Sequence, residues 1–139
     1  MKENYNIRPI KVEDYSFLAE WWRSYDGIEL PSSGALPNNG LGGFVVEVNN
    51  KPIAAAYVYL TNSTIGYIDF LISDPNYKGK DRYNAIANLI LSCSNYAVDK
   101  GCEAVWAMTK YNGVINRCKE LGGTILKEKY TVIYTNEKK

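Results

Sequence analysis

The chain of 139 residues contains no histidine. Ser-His-Asp and Cys-His nucleophilic catalysis are therefore excluded, and a zinc site is not expected without the commonest zinc ligand. Any proton transfer falls to a carboxylate, a tyrosine, a lysine, a cysteine or water. Cysteine is scarce: Cys93, Cys102 and Cys118 are odd in number, scattered and without a CxxC spacing. All three fall in segments that read as buried, the pattern of free structural thiols in a reducing compartment. Long apolar runs are missing, and no signal peptide opens the chain, so a cytoplasmic protein without a membrane partner is expected. An excess of one charge is missing too. Sixteen Lys and Arg face fifteen Asp and Glu, for a net charge of +1, which argues against nucleic-acid binding by bulk charge.

What the chain does have is 46 % hydrophobic residues and no low-complexity stretch, repeat or linker. One globular domain over residues 1–139 is expected. Tyr5–Ile10 reads as a strand, with Pro9 placing it at a sheet edge. Glu13 and Asp14 favour a helix start. Phe17, Leu18, Trp21, Trp22 and Tyr25 then form one apolar face, either a core stripe or a surface on which a ligand stacks. Asp26–Gly43 has no periodicity and is rich in Gly, Pro, Ser and Asn, so it reads as a functional loop with room for a short helical turn. Phe44–Val48 and Pro52–Leu60 are strands joined by Asn49–Asn50, a pair that tolerates positive φ in a hairpin. Ile65–Ile72 is a buried strand stopped by Asp74–Pro75–Asn76. After a basic loop around Gly79, the spacing of Tyr83, Ile86, Ala87, Ile90, Cys93 and Ala97 predicts a long core-facing helix that ends at Lys100–Gly101. Glu103–Thr109 is a further strand. A second helix runs from Tyr111–Asn112–Gly113 to Gly122–Gly123, and Thr124–Lys127 and Tyr130–Thr135 close the chain as strands. The fold class is α/β (α+β): a mixed, mostly antiparallel sheet of six to seven strands flanked by helices, in the order β-α-loop-β-β-β-α-β-α-β-β.

This order resembles the GNAT superfamily of acyl-CoA-dependent N-acetyltransferases over nearly the whole chain. Ile7-Arg8-Pro9-Ile10-Lys11-Val12-Glu13-Asp14 resembles the family's opening, in which Arg-Pro precedes a first helix begun by an acidic pair. Asp74-Pro75-Asn76-Tyr77-Lys78-Gly79-Lys80 is similar to its pyrophosphate loop. Tyr111-Asn112 and the closing Leu121-Gly122-Gly123 are similar to the bounds of its last helix. The resemblance implies acetyl transfer from acetyl-CoA, as co-substrate, to an amine on a small molecule or a protein. It further implies that the main chain of Leu71, Ile72 and Ser73 pairs with the pantetheine arm. Lys78, Gly79, Lys80 and Arg82 would hold the pyrophosphate, with Asn112 either at the pantetheine or capping the last helix. Asp69 falls where polyamine-acetylating relatives carry a catalytic base. It is either that base or a carboxylate on the open face of the sheet, paired with a Lys or Arg.

Departures from the family pattern point the other way. Its second and third loop glycines fall on Asp81 and Tyr83. Asp81 is expected to cap the helix and occupy the N–H groups that would hold phosphate, while also repelling it. Tyr83 is expected in the core. Cys118 stands where the family often has a general-acid tyrosine, with Tyr111 as the substitute. Lys80-Asp81-Arg82 is similar to the loop of GNAT-like proteins encoded by some bacteriophages. The alternative function is accordingly a GNAT-like binding or assembly module that has lost CoA.

Overall fold

A computed structural model describes residues 4–25, 30–107, 115–116, 119–120 and 122. Five strands form one sheet in chain order: β1 (Tyr5–Pro9), β2 (Gly43–Val48), β3 (Lys51–Leu60), β4 (Ile65–Ser73) and β5 (Ala104–Ala107). The first four pair antiparallel, and β5 joins β4 in parallel. A parallel pair needs a long crossover, and α2 (Arg82–Asp99) supplies it. The mixed, mostly antiparallel class expected from the sequence is observed. The described residues hold five of the six to seven expected strands, and the closing strands at 124–127 and 130–135 lie outside them.

Local chemistry explains the boundaries. Asn49 and Asn50 both sit at positive φ, 52° and 66°, as a two-residue hairpin requires. Pro9 does lie on the strand at the edge of the sheet among the described residues. Gly101, at φ +100°, follows the Lys100 cap and ends α2 in the left-handed conformation that glycine adopts without a Cβ penalty. The 31–42 segment forms two 3₁₀ turns, Ser33–Ala35 and Pro37–Gly40.

Two apolar layers cover the two faces of the sheet. On one, Ala85, Leu89, Ile90, Cys93 and Ala97 of α2 pack on Val46, Val48, Ala54, Ala56, Val58 and Ile68. Burial pushes the Cys93 thiol up to about 12, so it stays protonated and structural. Cys102 is likewise a buried free thiol, and Cys118 lies outside the described residues. On the other face, Leu18, Trp21 and Trp22 of α1 (Tyr15–Arg23) pack on Val45, Ala55, Tyr57 and Ile72. Both tryptophans of the expected stripe are buried, so the core reading of that stripe holds. Tyr83 does not follow its expectation. It is 41 % exposed, because the α2 stripe runs through Ala85, Leu89, Cys93 and Ala97. Tyr83 lies two residues before that stripe and faces away. Its hydroxyl donates to Glu120.

The Arg-Pro opening has a structural function. The Arg8 guanidinium donates to both oxygens of the buried Asp14, at 2.7 and 2.9 Å, and to Glu47 on β2 at 3.1 Å. Asp14 also accepts the Lys11 N–H at 2.7 Å. Burial alone would raise the Asp14 carboxyl; Arg8 and the Lys11 N–H outweigh it and hold the group below its ordinary value. The Asn6 amide holds Glu47 low against burial, with help from Arg8. Groups with depressed folded-state pKa values stabilise above their unfolded values and lose that contribution as pH falls. The melting temperature should therefore be level from neutral pH down to about 5 and drop below about pH 4. Asp14→Asn should lower it at neutral pH and flatten the acid limb, which thermal melts across pH will show.

Candidate functional site

The site is built around an irregularity in β4. Ala55 pairs with Ile72 and Tyr57 with Asp69, so Phe70 and Leu71 together face only Ala56. This is a β-bulge. Phe70 takes φ +52°, where a non-glycine residue stays only if its surroundings hold it. Here its ring packs edge-on against Trp22, with centroids 5.9 Å apart, and at 6.3 Å from Tyr59. The Phe70 N–H, released from the ladder, donates to Asp69 Oδ1 at 2.7 Å. The bulge also divides β4 into two parts. Pairing with β5 covers Ile65–Ile68, and beyond the bulge Asp69–Ser73 is paired with β3 alone among the described residues. The Asp74 N–H donates to Ile53 C=O at 2.8 Å, so by alternation Ile72 also faces β3 while Leu71 and Ser73 turn their main-chain groups outward. The Ser73 carbonyl accepts the Tyr25 hydroxyl at 3.3 Å. Leu71 is left presenting its N–H and C=O on the open side.

The basic loop follows directly. Asp74 is buried, and its carboxylate accepts the Asn76 N–H at 2.9 Å, which shapes the turn. Arg82 reaches back from α2 to Ser73 Oγ, Asp74 C=O and Tyr77 C=O, each at 2.7 Å, and stacks on the Tyr77 ring at 5.7 Å. The expectation that Arg82 binds pyrophosphate meets a guanidinium already engaged in tying the loop to the helix. Arg82→Ala should destabilise by on the order of 2 kcal/mol, read by chemical denaturation. Lys78, Gly79 and Lys80 are exposed. Neither lysine has an ion-pair partner among the described residues. A Cβ on Gly79 would collide with the Tyr77 phenol, whose ring stands against that glycine.

Asp81 occupies the N-cap position of α2 but makes no side-chain cap bond. This corrects the expectation that it satisfies the first-turn N–H groups. Its backbone is near φ −96°, ψ 9°, away from the extended conformation from which a capping side chain reaches those groups. The helix N-terminus thus keeps donors for an anion, with the Asp81 charge beside them.

Acetyl-CoA fits some of these residues and not others. An outward main-chain edge, two lysines and an uncapped helix start fit a pantetheine arm leading to a pyrophosphate held at the outer face of the loop. Close approach to the Gly79 Cα, which the tyrosine ring covers, does not fit. Of the other residues expected in the site, Asp69 sits half-buried beside the open edge. Tyr111 and Asn112 lie outside the described residues. Trp106 is 47 % exposed and, like Tyr83, is not packed into the core. Sequence reasoning missed Phe70 and the rings holding it, since nothing in Asp-Phe-Leu marks a bulge. Among the described residues, no three His, Cys, Asp or Glu side chains gather to hold a metal ion, and no helix is long and apolar enough to cross a membrane.

No protein-family model matches the chain, and no curated protein matches it. Solved structures do. An aminoglycoside acetyltransferase from an uncultured soil metagenomic sample, in complex with trehalose, superimposes with a TM-score of 0.70 at 18 % identity, covering 96 % of this chain and 97 % of that one. A predicted acetyltransferase from Clostridium acetobutylicum with acetyl-CoA gives 0.61 at 18 % identity, covering 94 % and 96 %. An aminoglycoside N-acetyltransferase in complex with CoA gives 0.61 at 15 % identity, covering 99 % and 97 %. At these identities the likeness is one of fold, and the fold of this chain is that of the GNAT acetyltransferases.

Proposed function

We propose that the chain is an acyl-CoA-dependent N-acyltransferase, moving an acetyl group from acetyl-CoA to a primary amine by direct attack. The observation that carries this reading is the bulge at Phe70. It places a half-buried carboxylate, an outward-facing strand edge and a basic loop in succession within Asp69–Lys80. Acetyl-CoA supplies the activated acyl group. The Leu71 main chain lines the pantetheine arm and positions the thioester, and Lys78 and Lys80 neutralise the pyrophosphate together with the N-terminal donors of α2. Asp69 takes one proton from the acceptor's ammonium nitrogen, which frees the lone pair that bonds to the carbonyl carbon, and a second N–H proton passes to solvent as the amide forms. The carbon–sulfur bond breaks, the electron pair leaves with sulfur, and a proton from solvent or the Tyr111 hydroxyl completes the thiol. Ile72, tied to β3, and Ser73 and Arg82, hydrogen-bonded to one another, hold the loop in place beside the arm, and Asn112 meets the pantetheine or caps the last helix.

A second reading, a GNAT-fold module that does not bind CoA, is favoured by the Asp81 charge and by the tyrosine ring over Gly79. Calorimetric titration of acetyl-CoA into the full chain separates the two. The enzyme reading expects micromolar binding that weakens at least tenfold in Lys78→Ala/Lys80→Ala. No heat at about 1 mM ligand, with an unshifted melting temperature, overturns it in favour of the module.

A further inference from the structure

The sheet face that carries Asp69 also carries a row of aromatic rings. Tyr59 of β3 is the register partner of Tyr67 of β4, and Tyr67 is the register partner of Trp106 of β5. Residues opposite one another in a ladder share a face. Asp69 is opposite Tyr57, which belongs, like Tyr59, to the apolar layer on the α1 side. The row and the carboxylate therefore lie on one surface, and Asp69 is two residues along β4 from Tyr67. Phe70 adds a ring at the bulge, 6.3 Å from Tyr59.

This surface is not closed core. Tyr59, Tyr67, Asp69 and Phe70 are half-buried and Trp106 is exposed, standing edge-on to Tyr67 at 6.0 Å. Asp69 is the unbalanced group in it. Oδ1 accepts the Phe70 N–H, and among the described residues the carboxylate has no cation partner and Oδ2 no hydrogen bond. A carboxylate half-withdrawn from water beside ring faces attracts a cation. Ring faces in turn stack on flat ligands and on cationic ones.

We infer that the Tyr59–Tyr67–Trp106 row and Asp69 form the acceptor site, and that the acceptor is a ring-bearing primary amine taken up as its ammonium ion. The ammonium meets Asp69, and the body of the acceptor lies along Tyr67 and Trp106. An amine beside a carboxylate of its own is disfavoured, because the described residues of the row, Tyr59, Tyr67, Asp69 and Trp106, include no cation to answer a second negative charge. The inference rests on the acyl-transfer reading for what happens to the amine, but binding is independent of it.

The test uses the full chain without acetyl-CoA. Phenethylamine and glucosamine, an aryl and a sugar form of the same chemistry, are titrated by calorimetry alongside glutamate and 2-phenylethanol. The expected result is saturable binding of at least one of the two amines, with glutamate and the alcohol at least tenfold weaker. Asp69→Asn and Trp106→Ala should each weaken the binding amine about fivefold to tenfold, and Trp106→Phe, which keeps a ring face, by less than threefold. Circular dichroism shows that each variant is folded. If neither amine binds at millimolar concentration, or if glutamate or the alcohol binds equally well, the inference is overturned even where acetyl-CoA still binds. Indifference of the binding amine to Trp106→Ala overturns it as well.

Discussion

Asp69→Asn should lower kcat for acetyl transfer by about 10²- to 10⁴-fold while leaving the melting temperature within a few degrees of the parent. The asparagine amide oxygen still accepts the Phe70 N–H that now bonds to Asp69 Oδ1, so the bulge and its left-handed backbone keep their anchor. What is lost is a group able to take a proton from the ammonium-derived nitrogen. Asp69→Ala separates the two functions, because it removes the anchor as well and exposes Phe70, at φ +52°, to relaxation toward ordinary strand geometry. That variant should lose stability in addition to activity. Single-turnover kinetics with preformed acetyl-CoA complex, together with thermal melts, measure both. Equal activity in the parent and Asp69→Asn would mean that water or another group is the base and that Asp69 acts on the acceptor's charge alone.

The readable parts of the sequence were those where one residue type has one cheap conformation or one cheap location. Asn49–Asn50 and Gly101 announce positive φ, and the structure puts them there. Trp21 and Trp22 announce burial, and they are buried. The parts that resisted reading are those where tertiary contacts override local preference. Phe70 has no intrinsic reason for the left-handed region, and among the described residues the Trp22 and Tyr59 rings and the Asp69 carboxylate hold it. Tyr83 fits a helical stripe with Ile86, Ala87 and Ile90, but Asn84, Asn88, Asn95 and Asp99 form an exposed polar stripe on α2, and the helix turns Ala85, Leu89 and Cys93 onto the sheet opposite it. Arg82 looks like one more loop cation until its three acceptors are seen to be the loop itself. The acidic pair at 13–14 looks like helix-dipole chemistry, whereas Asp14 is the buried partner of Arg8. In each case the chemical type was visible and the partner, distant in sequence or set by rotation, was not.

Gly43→Ala should destabilise the protein by about 3 kcal/mol or more, and Gly43→Val should prevent folding. Sequence places this glycine at the end of a loop, but in the structure it is the buried first residue of β2, opposite Tyr57 of the central strand. A Cβ there would overlap the Ala56 carbonyl oxygen and stand 2.8 Å from Ile10 Cδ1 and 3.0 Å from the Tyr57 Cα. The obstacles on β3 are backbone atoms, so no rotamer change relieves them, and β2 and β3 must separate. That separation strains the Val58 N–H to Gly42 C=O bond at 2.9 Å, while the clash with Ile10 Cδ1 presses on the residue whose N–H donates to Gly43 C=O at 3.0 Å. For a chain of this length the loss corresponds to a melting temperature lower by about 10 °C or more. Gly34→Ala is the matched control, since a Cβ there meets nothing within 4 Å and φ is not in the left-handed region. It should change stability by less than about 1 kcal/mol. The effect at Gly43 reaches the site as well, because Tyr57, against which the new methyl would press, is the register partner of Asp69. In the fraction of Gly43→Ala that remains folded at low temperature, acetyl transfer should fall by more than the unfolded population explains. Melting within 2 °C of the parent would show instead that the β2–β3 spacing has slack, and Asp69 would then be insulated from this end of the sheet.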